Sequence, residues 1–261
     1  MTEEAAPKPF KLPDVAAITM AAPMRWLAKG WADYQRAALP CLLYGIILAG
    51  ISALIGWALV FSGAFAWMFV LAGGFFFLAP VLAMGLYEAA RMLEDDTPPT
   101  LTDIILVRGA FRLDLAYLGL ALLIIYLFWT RLAQIVYALS TYTLHTSPQE
   151  FLTFMFTTSE GQIMALTGTV VGAVIALFAF ALVVISAPMI LDRKTDVFIA
   201  TITSFRAVLK NPLPMLLWAI IIAVLTALGI ATAFFGLILI FPLIGLASWH
   251  AYRDLVPERG A

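Results

Sequence analysis

The chain has 261 residues, 63% of them apolar and only 12% charged, with a mean hydropathy of +1.00. Those values exclude a water-soluble globular domain, in which about 25% of residues are charged. A formal net charge of −1 speaks against a nucleic-acid partner, and a single cysteine, Cys41, rules out an intrachain disulfide or a cysteine-based metal cluster.

The first residues include Glu3, Glu4, Pro7, Pro9, Pro13 and Asp14, without the basic-then-apolar pattern of a cleavable signal, so residues 1–23 read as a disordered tail. Met24, Leu27, Trp31, Tyr34 and Ala38 then recur at helical spacing while Arg25, Lys29, Asp33 and Arg36 point elsewhere. That pattern predicts an amphipathic helix lying in the membrane interface. Residues 37–87 form a stretch of 51 without a charge. Each membrane-spanning helix needs about 20 apolar residues. The stretch therefore holds two spans, near 40–62 and 65–87. Glu94, Asp95 and Asp96, followed by Thr97, Pro98 and Pro99, read as a solvated turn. Thr100 and Asp103 have the spacing of a capping box and open a second amphipathic segment that runs to Arg112.

A third span follows near 113–133, and Ser147 and Pro148 mark the start of a short helix beyond it. The charge-free stretches 161–191 and 211–249 are 31 and 39 residues long and hold one span and two, near 162–190, 212–232 and 234–249. Between them, Thr195 or Asp196 opens a third amphipathic helix with Phe198, Ile202, Phe205 and Leu209 on one face, ending at Lys210. The predicted fold is thus an all-α membrane protein, a six-transmembrane-helix bundle of three hairpins, each preceded by a cytoplasmic interfacial amphipathic helix.

Charge distribution supplies the orientation. With six spans, fourteen of the fifteen Lys and Arg residues fall on one side, and only Arg131 does not. Basic residues resist translocation, so that side is cytoplasmic and both termini lie there. An odd number of spans would split the fourteen across both faces.

The first and last hairpins align. A shift of 174 places residues 39–54 on 213–228 without a gap and with nine identities, Pro40 on Pro214 among them. Pro80 and Arg91 are spaced like Pro242 and Arg253, with Ala89 matching Ala251. These matches predict parallel internal repeats within a single domain over 24–256, with units 24–93, 98–191 and 195–256 and a short tail at 257–261. Small residues recur at every fourth position in three spans: Gly45, Ala49 and Ala53; Gly168, Gly172 and Ala176; Ala219, Ala223 and Ala227. Such stripes let helix backbones approach closely in lipid.

Three intramembrane polar positions are candidates for function. Arg131 is the one basic residue inside a span. It sits roughly 27 Å from Leu113 at the rise of an α-helix, close to the outer interface, where it snorkels beside Trp129 and Gln134, forms an anion site or locks to Glu150 or Glu160. Glu88 and His250 occupy equivalent repeat positions, three residues before Arg91 and Arg253. Packed side by side, the two would meet near the cytoplasmic surface as an interfacial pair or a proton-carrying one. His145 stands in the outer segment. Two histidines and one cysteine, far apart, match no zinc, haem or iron-sulfur spacing, and no phosphate loop or nucleophile elbow is present, so no catalytic residue, metal site or cofactor is predicted.

Ser186, Ala187, Pro188 and Met189 running into Leu191, Asp192 and Arg193, then Asn211 and Pro212, then Trp249, His250, Ala251, Tyr252 and Arg253 resemble a bacterial family of predicted integral membrane proteins catalogued as a domain of unknown function. Gly30, Trp31, Tyr34, Arg36 and Pro40 are similar to its opening segment, so the resemblance runs from about Met24 to Val256. It implies a multi-pass protein of the inner membrane. Some members are labelled as resembling cytochrome c oxidase subunit I, but two histidines cannot supply the haem and copper ligands of that subunit. Family members often carry Gly-His-Ala in the last helix, whereas here Gly245 is followed by Leu246, so a two-histidine site would be incomplete.

The expected function is that of a non-catalytic scaffold, accessory or assembly factor, with the lipid bilayer and a membrane-protein complex as partners. The alternative is a small-solute or ion transporter or channel, suggested by the repeats, Arg131 and the in-span prolines Pro80, Pro188 and Pro242. An enzyme acting on lipid is the third reading.

Overall fold

The computed structural model describes residues 12–63, 67, 71, 79–107, 113–143, 145 and 147–257. Every regular element among these residues is a helix, because a chain in hydrocarbon must satisfy its backbone N–H and C=O groups within each segment. In chain order they are α1 (Ala22–Arg36), α2 (Ala38–Phe61), α3 (Met84–Glu94), α4 (Leu101–Ile105), α5 (Leu113–Ser140), α6 (Pro148–Thr157), α7 (Ser159–Val183), α8 (Ser186–Arg193), α9 (Val197–Lys210), α10 (Pro212–Ala231) and α11 (Leu237–Leu255). Four stretches among the described residues are long and apolar enough to cross a membrane: α2, α5, α10 and Ser159–Arg193, which comprises α7 and α8.

The span expected at 65–87 lies mostly outside the described residues, although 79–82 and α3 are helical. The span expected at 234–249 corresponds to α11, which is not among the four candidates. Ser248, His250, Arg253 and Asp254 lower its hydropathy, and its C-terminal half is buried within the protein. Helices α1, α2, α3, α8 and α10 all pack on α11, and Leu246, Ala247, Trp249, Ala251, Tyr252 and Leu255 are fully buried there.

Close approach to this central helix depends on two glycines. Pro242 has no N–H for the carbonyl of Ile238 one turn earlier, and α2 lies directly over that carbonyl at Gly45. A Cβ at Gly45 would stand 2.0 Å from the Ile238 oxygen. At Gly30, where α1 crosses, a Cβ would be 2.7 Å from the Ala247 nitrogen.

Proline also explains the break between α7 and α8. Pro188 cannot donate to Val184, and the chain departs from the helix at Val184 and Ile185. The Ile185 N–H is taken up by the Ser204 hydroxyl of α9 at 3.2 Å. Near the turn at Ala83, the Tyr44 hydroxyl donates to the Leu82 carbonyl at 2.5 Å.

Two helix pairs share one geometry. Helices α1 and α2 are separated by a kink at Ala37 (φ −120°, ψ 39°), and α9 and α10 by one at Asn211 (φ −127°, ψ 55°). The two positions are 174 residues apart, the same shift that aligns the sequences. Helix α4 carries the anticipated capping box, with the Asp103 carboxylate accepting from Thr100 N–H at 2.9 Å and the Thr100 hydroxyl from Asp103 N–H. Residues 108–112 lie outside the described residues.

The amphipathic helices α9 and α1 meet the bundle differently, α9 mainly through small residues and α1 through a mixed face. Helix α9 buries Ala200, Thr203, Ser204 and Ala207 and turns Phe198, Ile202 and Leu209 outward. Phe205 is half-buried, tilted against Phe178 with ring centroids 5.6 Å apart. Helix α1 buries Trp26, Gly30, Asp33 and Tyr34 and leaves Met24 and Trp31 exposed. Of the expected disordered tail, residues 12–21 contain no helix yet are docked on the bundle. Ala16 N–H donates to Leu255 O at 2.9 Å, Ile18 N–H to Asn211 Oδ1 at 2.9 Å, and Asn211 Nδ2 to Ala16 O at 3.0 Å. Asn211 works as a stand-in for a strand partner, accepting from the Ile18 N–H and donating to the Ala16 carbonyl of a segment without regular structure.

Candidate functional site

The end of the bundle that carries the basic residues is built from α1, α3, α8 and α11, and their charges form a connected network. Arg253 of α11 reaches Glu94 of α3 (3.4 Å) and Asp192 of α8 (3.6 Å), tying three helices together. Asp192 also accepts from the Tyr252 hydroxyl at 2.5 Å, and Tyr252 in turn accepts from Arg193 Nε at 2.8 Å. The Arg193 guanidinium lies over the Tyr252 ring, 5.7 Å from its centroid, and donates to the backbone carbonyls of Val256 and Pro257. Burial first, and then the bond to Asp192, push the Tyr252 phenol above its ordinary value, so it stays a neutral donor.

A second branch fixes α1 to α11. The Trp26 indole N–H donates to Asp254 at 2.8 Å, and Lys29 stands 3.6 Å from the same carboxylate. His250 Nε2 lies 2.7 Å from Asp33 Oδ2, with both side chains nearly buried. A carboxylate can only accept, so Nε2 carries the proton of this bond. Arg36 spans 3.9 Å to Asp33 and 2.8 Å to Asp96 at the end of α3. Glu94, Asp95 and Asp96, expected as a solvated turn, thus take three different arginines: Arg253, Arg91 and Arg36.

Glu88 and His250 both belong to this end, but each has another partner. Arg91 grips Glu88 with Nε at 2.9 Å and Nη2 at 2.6 Å, and that bond first of all raises the guanidinium above its ordinary value. His250 takes Asp33, a residue that the amphipathic pattern assigned to the polar face. The signal for Asp33 was its company: Trp26, Gly30, Asp33 and Ala37 form one helix face, and the glycine and alanine on it suit a close helix neighbour. Arg131 stands at the opposite end, exposed on α5, where Nη1 donates to Gln134 at 3.0 Å. His145 is stacked on Phe154 at 4.5 Å and lies 3.1 Å from the Tyr137 hydroxyl, beside α6, whose N-cap is Ser147 as expected.

Residues 68–192 match the model of a family described as predicted integral membrane protein (DUF2189). The match covers just under half of the chain, and it is to this family that the segment is similar. Among curated proteins and among solved structures, nothing matches. The matched segment contains Ser186 to Asp192 of the residues that carried the resemblance, while Gly30 to Pro40, Arg193, Asn211 and Trp249 to Arg253 lie beyond it. Four contacts of the network join the segment to the rest of the chain: Arg253 to Glu94, Arg253 to Asp192, Tyr252 to Asp192 and Arg36 to Asp96. In each, the matched segment supplies the carboxylate and the flanking helix supplies the donor. The chain is an integral membrane protein with several apolar helices, and the lipid bilayer is its surrounding.

Proposed function

We propose that this chain is a six-span protein of the bacterial cytoplasmic membrane, with both termini in the cytoplasm, that acts without catalysis as a scaffold, accessory or assembly subunit. The observation that carries the reading is α9. It spends its small residues on the bundle and offers Phe198, Ile202 and Leu209, 73%, 43% and 76% exposed, to the outside at the charged end. The charges of α3, α8 and α11 are engaged with one another, and Arg206 and Lys210 of α9 hold carbonyls of the docked N-terminal segment, which suits a rigid platform better than a reaction centre. The three-hairpin arrangement is supported by the shared kink at Ala37 and Asn211 and by three chain returns, α3, α8 and α11, that converge on Arg253.

Affinity purification in mild detergent with mass spectrometry tests this reading. A stable membrane-protein partner is expected with the wild type and is lost when Phe198, Ile202 and Leu209 are replaced together by serine. Recovery of the protein alone from native membranes would sink the proposal. The alternative, a transporter or channel, is favoured by a cavity of about 560 Å³ lined by two candidate spans, α7 and α10. It requires solute flux in proteoliposomes that disappears in Arg131→Ala.

A further inference from the structure

The cavity lies between α7, α10 and α11, beside residues 79–83, and its walls are the small-residue stripes. Gly172, Ala173 and Ala176 form one side, Ala219 and Ala223 the other. Leu177, Leu216 and Ile220 on the lips are 43%, 42% and 50% exposed, so the space opens sideways between two candidate spans. An occupant must arrive through hydrocarbon. About 560 Å³ falls within the range of roughly 300–1,000 Å³ typical of small-molecule sites.

Three hydroxyl residues line this apolar space while being at least nine-tenths buried: Tyr87 (5% exposed), Thr226 (5%) and Ser248 (6%). None has a hydrogen-bond partner among the described residues, whereas the hydroxyls of Tyr44 and Tyr252 are both engaged. A serine or threonine on a helix can fall back on the carbonyl one turn earlier. A tyrosine cannot, so the Tyr87 phenol faces the cavity with no acceptor among the described residues. It sits one residue before Glu88, and Ser248 sits two before His250, which puts both hydroxyls at the border between the apolar bundle and the charged network.

We propose that this cavity is a site for a membrane phospholipid, with an acyl chain between the alanine walls and an ester carbonyl accepting from Tyr87 and Ser248. The geometry suits that class because a phospholipid carries its carbonyls at the same border and its chain below them. A basic flank lies close by: α9 leads into α10 with Arg206 and Lys210, each of which also holds a carbonyl of the docked N-terminal segment.

The test uses the full chain in vesicles containing a phosphatidylglycerol with a diazirine in one acyl chain. Cross-links mapped by mass spectrometry should concentrate on α7 and α10 peptides and be competed by unlabelled phosphatidylglycerol. Ala223→Phe, which fills the space from an exposed wall position, should reduce them to background. Tyr87→Phe, which keeps the volume, should weaken competition about fivefold, as expected for one lost hydrogen bond. Size-exclusion profiles unchanged from wild type establish that both variants fold. Labelling spread evenly over the lipid-facing side of α5 and unaffected by Ala223→Phe would overturn the proposal. So would native mass spectrometry that finds a quinone or a second copy of the chain, displaced by the same substitution.

Discussion

Asp33 and His250 show how much depends on the partner at the level of single residues. With both side chains nearly buried, Asp33→Ala leaves the His250 N–H without its acceptor, and unpaired buried polar groups cost about 1–3 kcal/mol. The expected result is a lower thermal midpoint in detergent. Lys29→Ala, by contrast, removes a half-exposed partner of Asp254 and should shift stability by about 0.5 kcal/mol or less. Tyr252 gives a pH dependence. Its folded value is raised above the unfolded value of about 10, so the stabilisation linked to the neutral phenol is complete below that pH and is lost as pH rises toward the folded value. Thermal midpoints of the wild type should therefore fall above about pH 10, and Tyr252→Phe should fall less steeply over the same range. An equal slope in both proteins would show that Tyr252 does not carry the effect.

Among the elements, glycine placement separates helix packing from helix chemistry. Gly45 lies against the carbonyl that Pro242 leaves open, and a methyl there has nowhere to go. Gly45→Ala should destabilise the protein by about 1–3 kcal/mol, the range for overpacking. Gly50, one turn further along the same helix, would meet nothing within 4 Å, and Gly50→Ala should leave the midpoint unchanged or raise it. Comparing the two in one thermal series separates loss of helix contact from any general effect of the substitution. The small-residue stripes divide in the same way. Gly45 serves close packing, as expected from its spacing, but Gly172, Ala176, Ala219 and Ala223 line a cavity. Spacing shows that a helix face is small. Only the positions of α7 and α10 show whether another helix fills it.

For the whole molecule, the charge pattern makes an even number of spans testable. On a Cys41→Ala background, single cysteines at Ser62, Tyr142 and Phe235 should react with a membrane-impermeant maleimide on intact cells, and those at Ala32 and Lys194 only after permeabilisation. Labelling of Ala32 and Tyr142 from the same side would contradict the proposed six-span topology. The recurrence of a kink at two positions 174 residues apart supports duplication more strongly than nine identities in an apolar stretch, because apolar residues match often by chance and a shared departure from helix geometry does not.

The all-α class, the placement of α2, α5 and α10 and the start of α6 were legible in the sequence, since hydrocarbon leaves a chain few options and Pro, Ser and Asp announce helix starts locally. The family resemblance likewise ran through Asp192, Arg193, Tyr252 and Arg253 before their purpose was visible. What the sequence could not provide was the pairing. Glu88 and His250 matched by repeat position, yet one took Arg91 three residues away and the other took Asp33, more than two hundred residues earlier. Charge partners depend on which helix ends meet, and that was decided by the packing of α1, α3 and α8 around α11. The same packing left α7 and α10 flanking an open space, so the cavity and the buried hydroxyls that line it exist only in the folded molecule.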